Sequence, residues 1–124
     1  LPTALRCWKL GQAIRKAVES YPEDTKVVVL GTGGMSHQLN GARFGFLNSD
    51  FDQDFLDKIE NDPIALTKLT HQKIMEDAGA EAVELIMWLT MRGALDGASI
   101  RQVHRNYYAP MTTGMGLIAL EEAV

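Results

Sequence analysis

The tract from Lys26 to Gly34 constrains this chain more than any other. Lys26-Val27-Val28-Val29-Leu30 is an apolar β-branched run that stops at Gly31-Thr32-Gly33-Gly34. β-Branched residues lose side-chain freedom in a helix and suit a pleated surface. A short apolar run without alternation reads as a strand buried on both faces. Ahead of it, Leu5, Trp8, Ile14, Ala17, Val18 and Tyr21 recur at helical spacing between charged residues. Thr3 is placed to cap that helix, and Pro22 cannot continue it. Gly11 weakens a helix interior and so marks a close packing contact. A helix, a buried strand and a glycine turn in this order imply an α/β fold, with helices packed on a mixed or mainly parallel sheet.

Further along, Asn48-Ser49-Asp50 caps a helix through Phe51, Phe55, Leu56 and Ile59. Asp62-Pro63 starts another, with aspartate at the cap and proline at the first helical position. Thr70 caps a third through Ile74 and Met75. Ala80 to Leu95 is the most strongly helical stretch, ended by Asp96-Gly97. Ile100 to Tyr108 and Leu117 to Leu120 are candidate strands, joined through a turn at Thr112 to Gly116.

Several function classes drop out on composition. With 12 basic and 16 acidic residues the net charge is -4, which disfavours a non-specific nucleic-acid binder. Cys7 is the single cysteine, so an intrachain disulfide and a cysteine-rich zinc module are excluded, and a cytoplasmic origin fits. Ala82 to Leu95, the longest apolar-rich stretch, is interrupted by Glu84 and Arg92 and is too short to span a bilayer. No signal peptide is visible. The chain opens on Leu1 rather than methionine, which suggests processing or a piece of a longer polypeptide. At 124 residues it has the length of one domain.

In open α/β sheets, ligands bind beyond the carboxyl ends of the strands. His37 follows the glycine turn at such an end, and imidazole exchanges protons near neutral pH. Two readings stand for it: an acid/base facing a cleft, or a hydrogen-bonded structural histidine beside a tight turn. The turn lacks both G-x-x-x-x-G-K-[ST] and G-x-G-x-x-G, so a phosphate cradle is poorly supported. Glu84 shares a helical face with Met87, Trp88 and Met91. A carboxylate there needs a cation, a metal or hydrogen-bond donors, and a salt bridge to Arg92 is the plain alternative. Glu81, one turn earlier, reads as solvated. His71 reads as an exposed residue at a helix start. His104 lies among Arg101, Arg105, Tyr107 and Tyr108, a stretch suited to an anionic aromatic ligand or to a solvated strand edge. No H-x-H or H-E-x-x-H pair is present.

The run Gly31-Thr32-Gly33-Gly34-Met35-Ser36-His37-Gln38-Leu39 resembles the signature of class III extradiol ring-cleavage dioxygenases. Matching segments continue in order. They are Asn40-Gly41-Ala42-Arg43, Phe51-Asp52 with Phe55-Leu56-Asp57, Asp62-Pro63, Glu76-Asp77-Ala78-Gly79, and Glu84-Leu85 with Met87-Trp88-Leu89 and Arg92-Gly93-Ala94. The likeness runs from the Arg6-Cys7-Trp8 helix to Leu120-Glu121. It is to the C-terminal part of catalytic chains of the protocatechuate 4,5-dioxygenase and gallate dioxygenase type.

The resemblance implies Fe(II) held by two histidines and one glutamate, with open positions for substrate and O2. The glutamate position is Glu84. His37 matches the acid/base, which is not a ligand. Thr112 and Thr113 correspond loosely to a substrate-contact region. The family's two iron-binding histidines lie upstream of the matching part, and neither His71 nor His104 matches them. Residues 1–124 are therefore expected to form a partial catalytic domain that exposes apolar surface where an N-terminal portion packs. The implied reaction is extradiol cleavage of a small carboxylated catechol or pyrogallol such as protocatechuate or gallate. The implied partners are that aromatic diol, O2, the N-terminal portion and a small partner subunit, with no nucleic acid or membrane. The rival expectation is a non-catalytic binding or scaffold module that keeps the fold without a complete iron site.

Overall fold

The computed structural model describes residues 1–123, so Val124 lies outside the described residues. Five α-helices, one 3-10 helix and one β-hairpin make up the regular structure of the described residues. Helix α1 spans Ala4–Ser20, and the Thr3 hydroxyl accepts the Arg6 amide at 3.1 Å as its N-cap. Its buried residues Ala4, Cys7, Trp8 and Gly11 form one stripe at helical spacing. That stripe packs on helix α5, Ile86–Gly93. The two helices meet backbone to backbone. A Cβ added at Gly11 would lie 2.2 Å from the Thr90 carbonyl oxygen, and one at Gly93 would lie 2.3 Å from that of Trp8. Gly11 is thus the close contact its place in the sequence implies.

Helix α2, Ser49–Asn61, is capped by the Asn48 side chain, which accepts the Phe51 amide at 3.1 Å. It turns Asp52, Phe55, Leu56 and Ile59 inward. The short α3, Pro63–Leu66, starts at Asp62-Pro63, and α4, His71–Ala78, starts at the Thr70 cap. Phe55, Leu56, Ile59, Ile74, Leu85, Ile86, Trp88 and Leu89 make up half of the buried core residues. Arg92 is buried beside them. Its guanidinium donates to the Ile59 carbonyl at 2.7 Å and the Glu60 carbonyl at 3.3 Å, satisfying the end of α2. Burial holds that guanidinium below its usual range, although nearby Asp96 and Glu60 oppose the shift.

The α/β expectation holds, but the sheet is a different one. Strands β1, Ile100–Tyr108, and β2, Met115–Glu122, pair antiparallel, from Ile100 opposite Glu122 to Tyr108 opposite Met115. No mixed or mainly parallel sheet is present among the described residues. Val27–Leu30, expected as a buried strand, belongs to no sheet, and Val28 and Leu30 are 72% and 81% exposed. The run has strand propensity, but among the described residues no strand pairs with it to take up its amides and carbonyls. With Met91, Leu95 and Leu117 to Leu120 it borders an apolar groove of about 430 Å³.

The expected helix over Ala80–Leu95 is split. Ala80–Leu85 is a 3-10 helix, and regular α-helix begins only at Ile86. Gly79, at φ 102°, enters this segment without a side-chain cap of its own. The Ala80 amide is instead taken by the Gln38 side chain at 3.3 Å. No helix among the described residues is long and apolar enough to cross a membrane.

Candidate active site

Three stretches converge at the end of the glycine turn. Gly31 and Gly33 lie directly on the 3-10 helix and α5. A Cβ at Gly31 would fall 2.9 Å from both Trp88 Cα and Met91 Cβ, and one at Gly33 would fall 3.0 Å from Glu84 Cγ. These glycines serve close approach to a helix, not an open phosphate nest. The Trp88 indole N–H anchors the turn by donating to the Gly33 carbonyl at 3.1 Å.

Gly34 then opens a small cradle. A Cβ there would stand 3.1 Å from His37 Cε1, 3.2 Å from Thr113 Cγ2 and 3.3 Å from Glu84 Oε1. The space that glycine leaves is walled by an imidazole, a methyl group and a carboxylate. His37 is 7% exposed, and its Nε2 lies 3.7 Å from Glu84 Oε1. That carboxylate oxygen also accepts the Gly34 amide at 2.6 Å. Glu84 therefore meets His37 and a backbone donor, while Arg92, its alternative partner from sequence, is occupied at the end of α2.

Main-chain contacts hold His37 from both sides. Its amide donates to the Ala78 carbonyl at 2.8 Å, and its own carbonyl packs so tightly on Gly79 that a Cβ there would lie 2.1 Å away. On the other side, His37 forms an isolated antiparallel bridge with Thr113, flanked by Met35 N–H to Gly114 O at 2.9 Å and Gly114 N–H to Ser36 O at 2.8 Å. The His37 ring is oriented by Nδ1, 2.6 Å from the Met35 carbonyl oxygen. A carbonyl can only accept, so Nδ1 carries the proton. In the neutral ring, Nε2 then presents its lone pair toward the cradle.

The other sequence candidates lie elsewhere or play plainer parts. Thr113 lines the cradle, and Thr112 sits half-buried in the same turn. His71 is half-buried rather than exposed, with Nε2 2.7 Å from the Pro2 carbonyl, to which it donates. His104 is exposed on β1, opposite Ala119. Arg101 pairs with Glu121 and Arg105 with Asp57, so this stretch reads as a solvated strand edge with its cations already matched. Glu81 is half-buried rather than solvated, with one carboxylate oxygen shielded and without a hydrogen bond. Among the described residues, no group of three or more His, Cys, Asp or Glu side chains could hold a metal ion.

Residues 1–118 match the family model for the catalytic LigB subunit of aromatic ring-opening dioxygenase. The chain belongs to this family. It is also 50% identical over 121 residues to gallate dioxygenase of Pseudomonas putida, a match that covers 98% of this chain and 35% of that protein. This LigB-family chain thus spans about a third of the length of that curated relative.

Beneath the cradle lies a polar cluster that reading the residues for chemistry overlooked. Asp52 is fully buried on the inward face of α2. Its Oδ1 accepts the Ser36 amide at 2.8 Å, and its Oδ2 accepts the Ser36 hydroxyl and the Tyr107 hydroxyl, each at 2.6 Å. The Asn48 amide donates to Ser36 Oγ at 2.9 Å. Three donors on one carboxylate compensate its removal from water. Burial, the hydrogen bond to Asp52 and the Asp52 charge push the Tyr107 phenol well above its ordinary range, with a smaller opposing effect from Ser36. A sequence signal existed: Asp52 stands one, one and two turns before Phe55, Leu56 and Ile59, an acid on an apolar stripe.

Proposed function

We propose that this chain carries the acid/base histidine and one carboxylate ligand of an Fe(II)-dependent extradiol dioxygenase. Its substrates would be O2 and a small carboxylated catechol or pyrogallol such as protocatechuate or gallate. One observation carries the reading: His37 Nε2 and Glu84 Oε1 face each other at 3.7 Å across the space left by Gly34. LigB-family membership and the likeness to gallate dioxygenase supply the reaction class.

The donor set fits one ligand position and not a complete iron centre. Glu84 is a hard oxygen donor, its side chain 47% exposed, with a single amide on Oε1. His71 is engaged with Pro2 and His104 stands on β1, so the two histidine ligands implied for the family come from polypeptide outside this stretch. Iron in such a centre supplies Lewis acidity toward two adjacent ring hydroxyls and open positions for O2.

The chain's own residues handle protons and placement. His37 Nε2 accepts the proton of a substrate hydroxyl while Nδ1–H stays on the Met35 carbonyl. The imidazolium so formed faces the Glu84 carboxylate at 3.7 Å. His37 later returns that proton to the opening ring. The Thr113 methyl walls one side, and Thr112 and Thr113 are the proposed substrate contacts. The remaining proposed parts are a small partner subunit and a cytoplasmic setting, which suits the free thiol of Cys7.

The test uses the complete catalytic polypeptide containing this sequence. His37→Ala should keep its iron and lose turnover by about 10²–10⁴-fold, the usual worth of a positioned acid/base. Glu84→Ala should lose the iron. The 124-residue chain alone should neither retain stoichiometric Fe(II) nor consume O2 with protocatechuate or gallate. Iron loss in His37→Ala, or tight one-to-one iron binding by the chain alone, would refute the assignment. A complete polypeptide that binds no iron would favour the scaffold alternative.

A further inference from the structure

We infer that Asp52 is a positioning residue for His37, acting through the single peptide group between Met35 and Ser36. The inference rests on the proposed acid/base role of His37. The two ends of that peptide group are engaged by different partners. Its N–H, on Ser36, donates to Asp52 Oδ1 at 2.8 Å, and its C=O, on Met35, accepts from His37 Nδ1 at 2.6 Å. A trans peptide is planar, with N–H and C=O pointing in opposite directions. A partner that fixes one therefore aims the other.

The rest of the cluster leaves Asp52 little choice of orientation. Ser36 Oγ accepts the Asn48 amide, which leaves its own proton for Asp52 Oδ2. Tyr107 adds a second hydroxyl to the same oxygen. Oδ1 is thus left to the Ser36 amide. The position of Asp52 is set in turn by α2, whose N-cap is Asn48. Gly114 closes the arrangement from the hairpin side: a Cβ there would fall 2.3 Å from Asp52 Oδ2. The neighbouring residue, Thr113, forms the bridge with His37.

Two effects follow. The peptide plane is held, so the Met35 carbonyl stays aimed at Nδ1. The anionic acceptor also polarises the peptide, because hydrogen bonds in a chain strengthen one another where water is excluded. Both favour the Nδ1–H tautomer and leave the Nε2 lone pair facing the cradle. The hydrogen bonds of Asp52 go to Ser36 and Tyr107 and none goes to His37 itself. It does for the imidazole, through one intervening amide, what a directly bonded carboxylate does elsewhere.

The test is ¹⁵N NMR of the His37 ring in the full chain, at a pH where imidazole is neutral. The wild type should hold almost all of the ring as Nδ1–H. Asp52→Asn keeps a neutral acceptor of the same shape and should lower the Nδ1–H to Nε2–H ratio by about threefold to tenfold, since charge-assisted bonds are about twice as strong as neutral ones. Asp52→Ala should lower it further, and if it fails to fold, Asp52→Asn decides alone. Thr3→Ala, which removes the cap of α1 outside this cluster, should leave the ratio unchanged. An unchanged ratio in Asp52→Asn, or an equal fall in Thr3→Ala, would overturn the inference. In the complete polypeptide, kcat should fall with the ratio while KM and iron content hold. A shifted ratio with unchanged kcat would support positioning by Asp52 and refute the acid/base role of His37.

Discussion

Gly34→Ala tests the cradle with a single methyl group. The added Cβ would meet His37 Cε1 at 3.1 Å, Thr113 Cγ2 at 3.2 Å and Glu84 Oε1 at 3.3 Å. Each contact is a few tenths of an ångström inside ordinary packing distance, so something must move. Gly34 is not among the glycines at positive φ, so alanine adds no backbone strain. The three walls differ in how easily they yield. His37 is tied at Nδ1 and along its main chain, and Thr113 is held by its bridge, whereas the Glu84 side chain is 47% exposed. Glu84 should swing outward and lengthen its 2.6 Å bond from the Gly34 amide. Overpacking a tight interior costs roughly 1–3 kcal/mol, and with one mobile wall the lower end applies, about 1 kcal/mol. For a chain of this length that lowers Tm by about 4 °C. Function should suffer far more. Displacing a reacting group by about 1 Å can cost about 10²-fold in rate. The expected result is a folded variant with a slightly lower Tm in a thermal melt and about 10²-fold slower ring cleavage by the complete polypeptide in an oxygen electrode. Activity within about twofold of wild type, an order-of-magnitude threshold set against that expected loss, would refute the reading of this space as the reaction site. A global failure to fold would show that Gly34 is kept for packing.

Two further outcomes follow from the core and the buried cluster. Gly11→Ala places a Cβ 2.2 Å from the Thr90 carbonyl and 2.7 Å from Gly93 Cα, both backbone atoms that cannot rotate away, so it should lose at least about 3 kcal/mol in urea unfolding, the upper end for overpacking; a loss below about 1 kcal/mol would show that α1 slides freely on α5. The Tyr107 phenol has its folded pKa raised above the unfolded value, so its contribution to stability is complete below about pH 10 and is lost as pH rises beyond that. Tyr107→Phe should flatten this alkaline decline, and an unaltered slope between pH 9 and 11 would refute it.

Much of the local structure was legible because its causes are local. The caps at Thr3, Asn48, Asp62 and Thr70 each bind the amide three residues on, within reach of one side chain. The hairpin strands were visible in their composition, and Gly11 in its placement inside an otherwise regular helix. His37 and Glu84 were singled out from their neighbours in sequence and from a resemblance, and the fold sets them 3.7 Å apart although 47 positions separate them in the chain.

What the tertiary structure alone decided depends on which distant segments meet. Val27–Leu30 has the composition of a buried strand, but pairing needs a neighbour, and composition cannot say whether the chain supplies one; among the described residues no strand pairs with it. From sequence Glu84 was open to a cation, a metal, hydrogen-bond donors or a salt bridge with Arg92, and the last is removed by the Ile59 and Glu60 carbonyls, which claim Arg92 at the end of α2. The tautomer of His37 is the same kind of fact. Sequence places a histidine after a glycine turn, but which nitrogen holds the proton depends on a carbonyl two residues back, whose direction is tied to a buried aspartate one helix away. Side-chain type is written along the chain. The direction of a peptide plane is set only when α2, the hairpin and the glycine turn pack against one another.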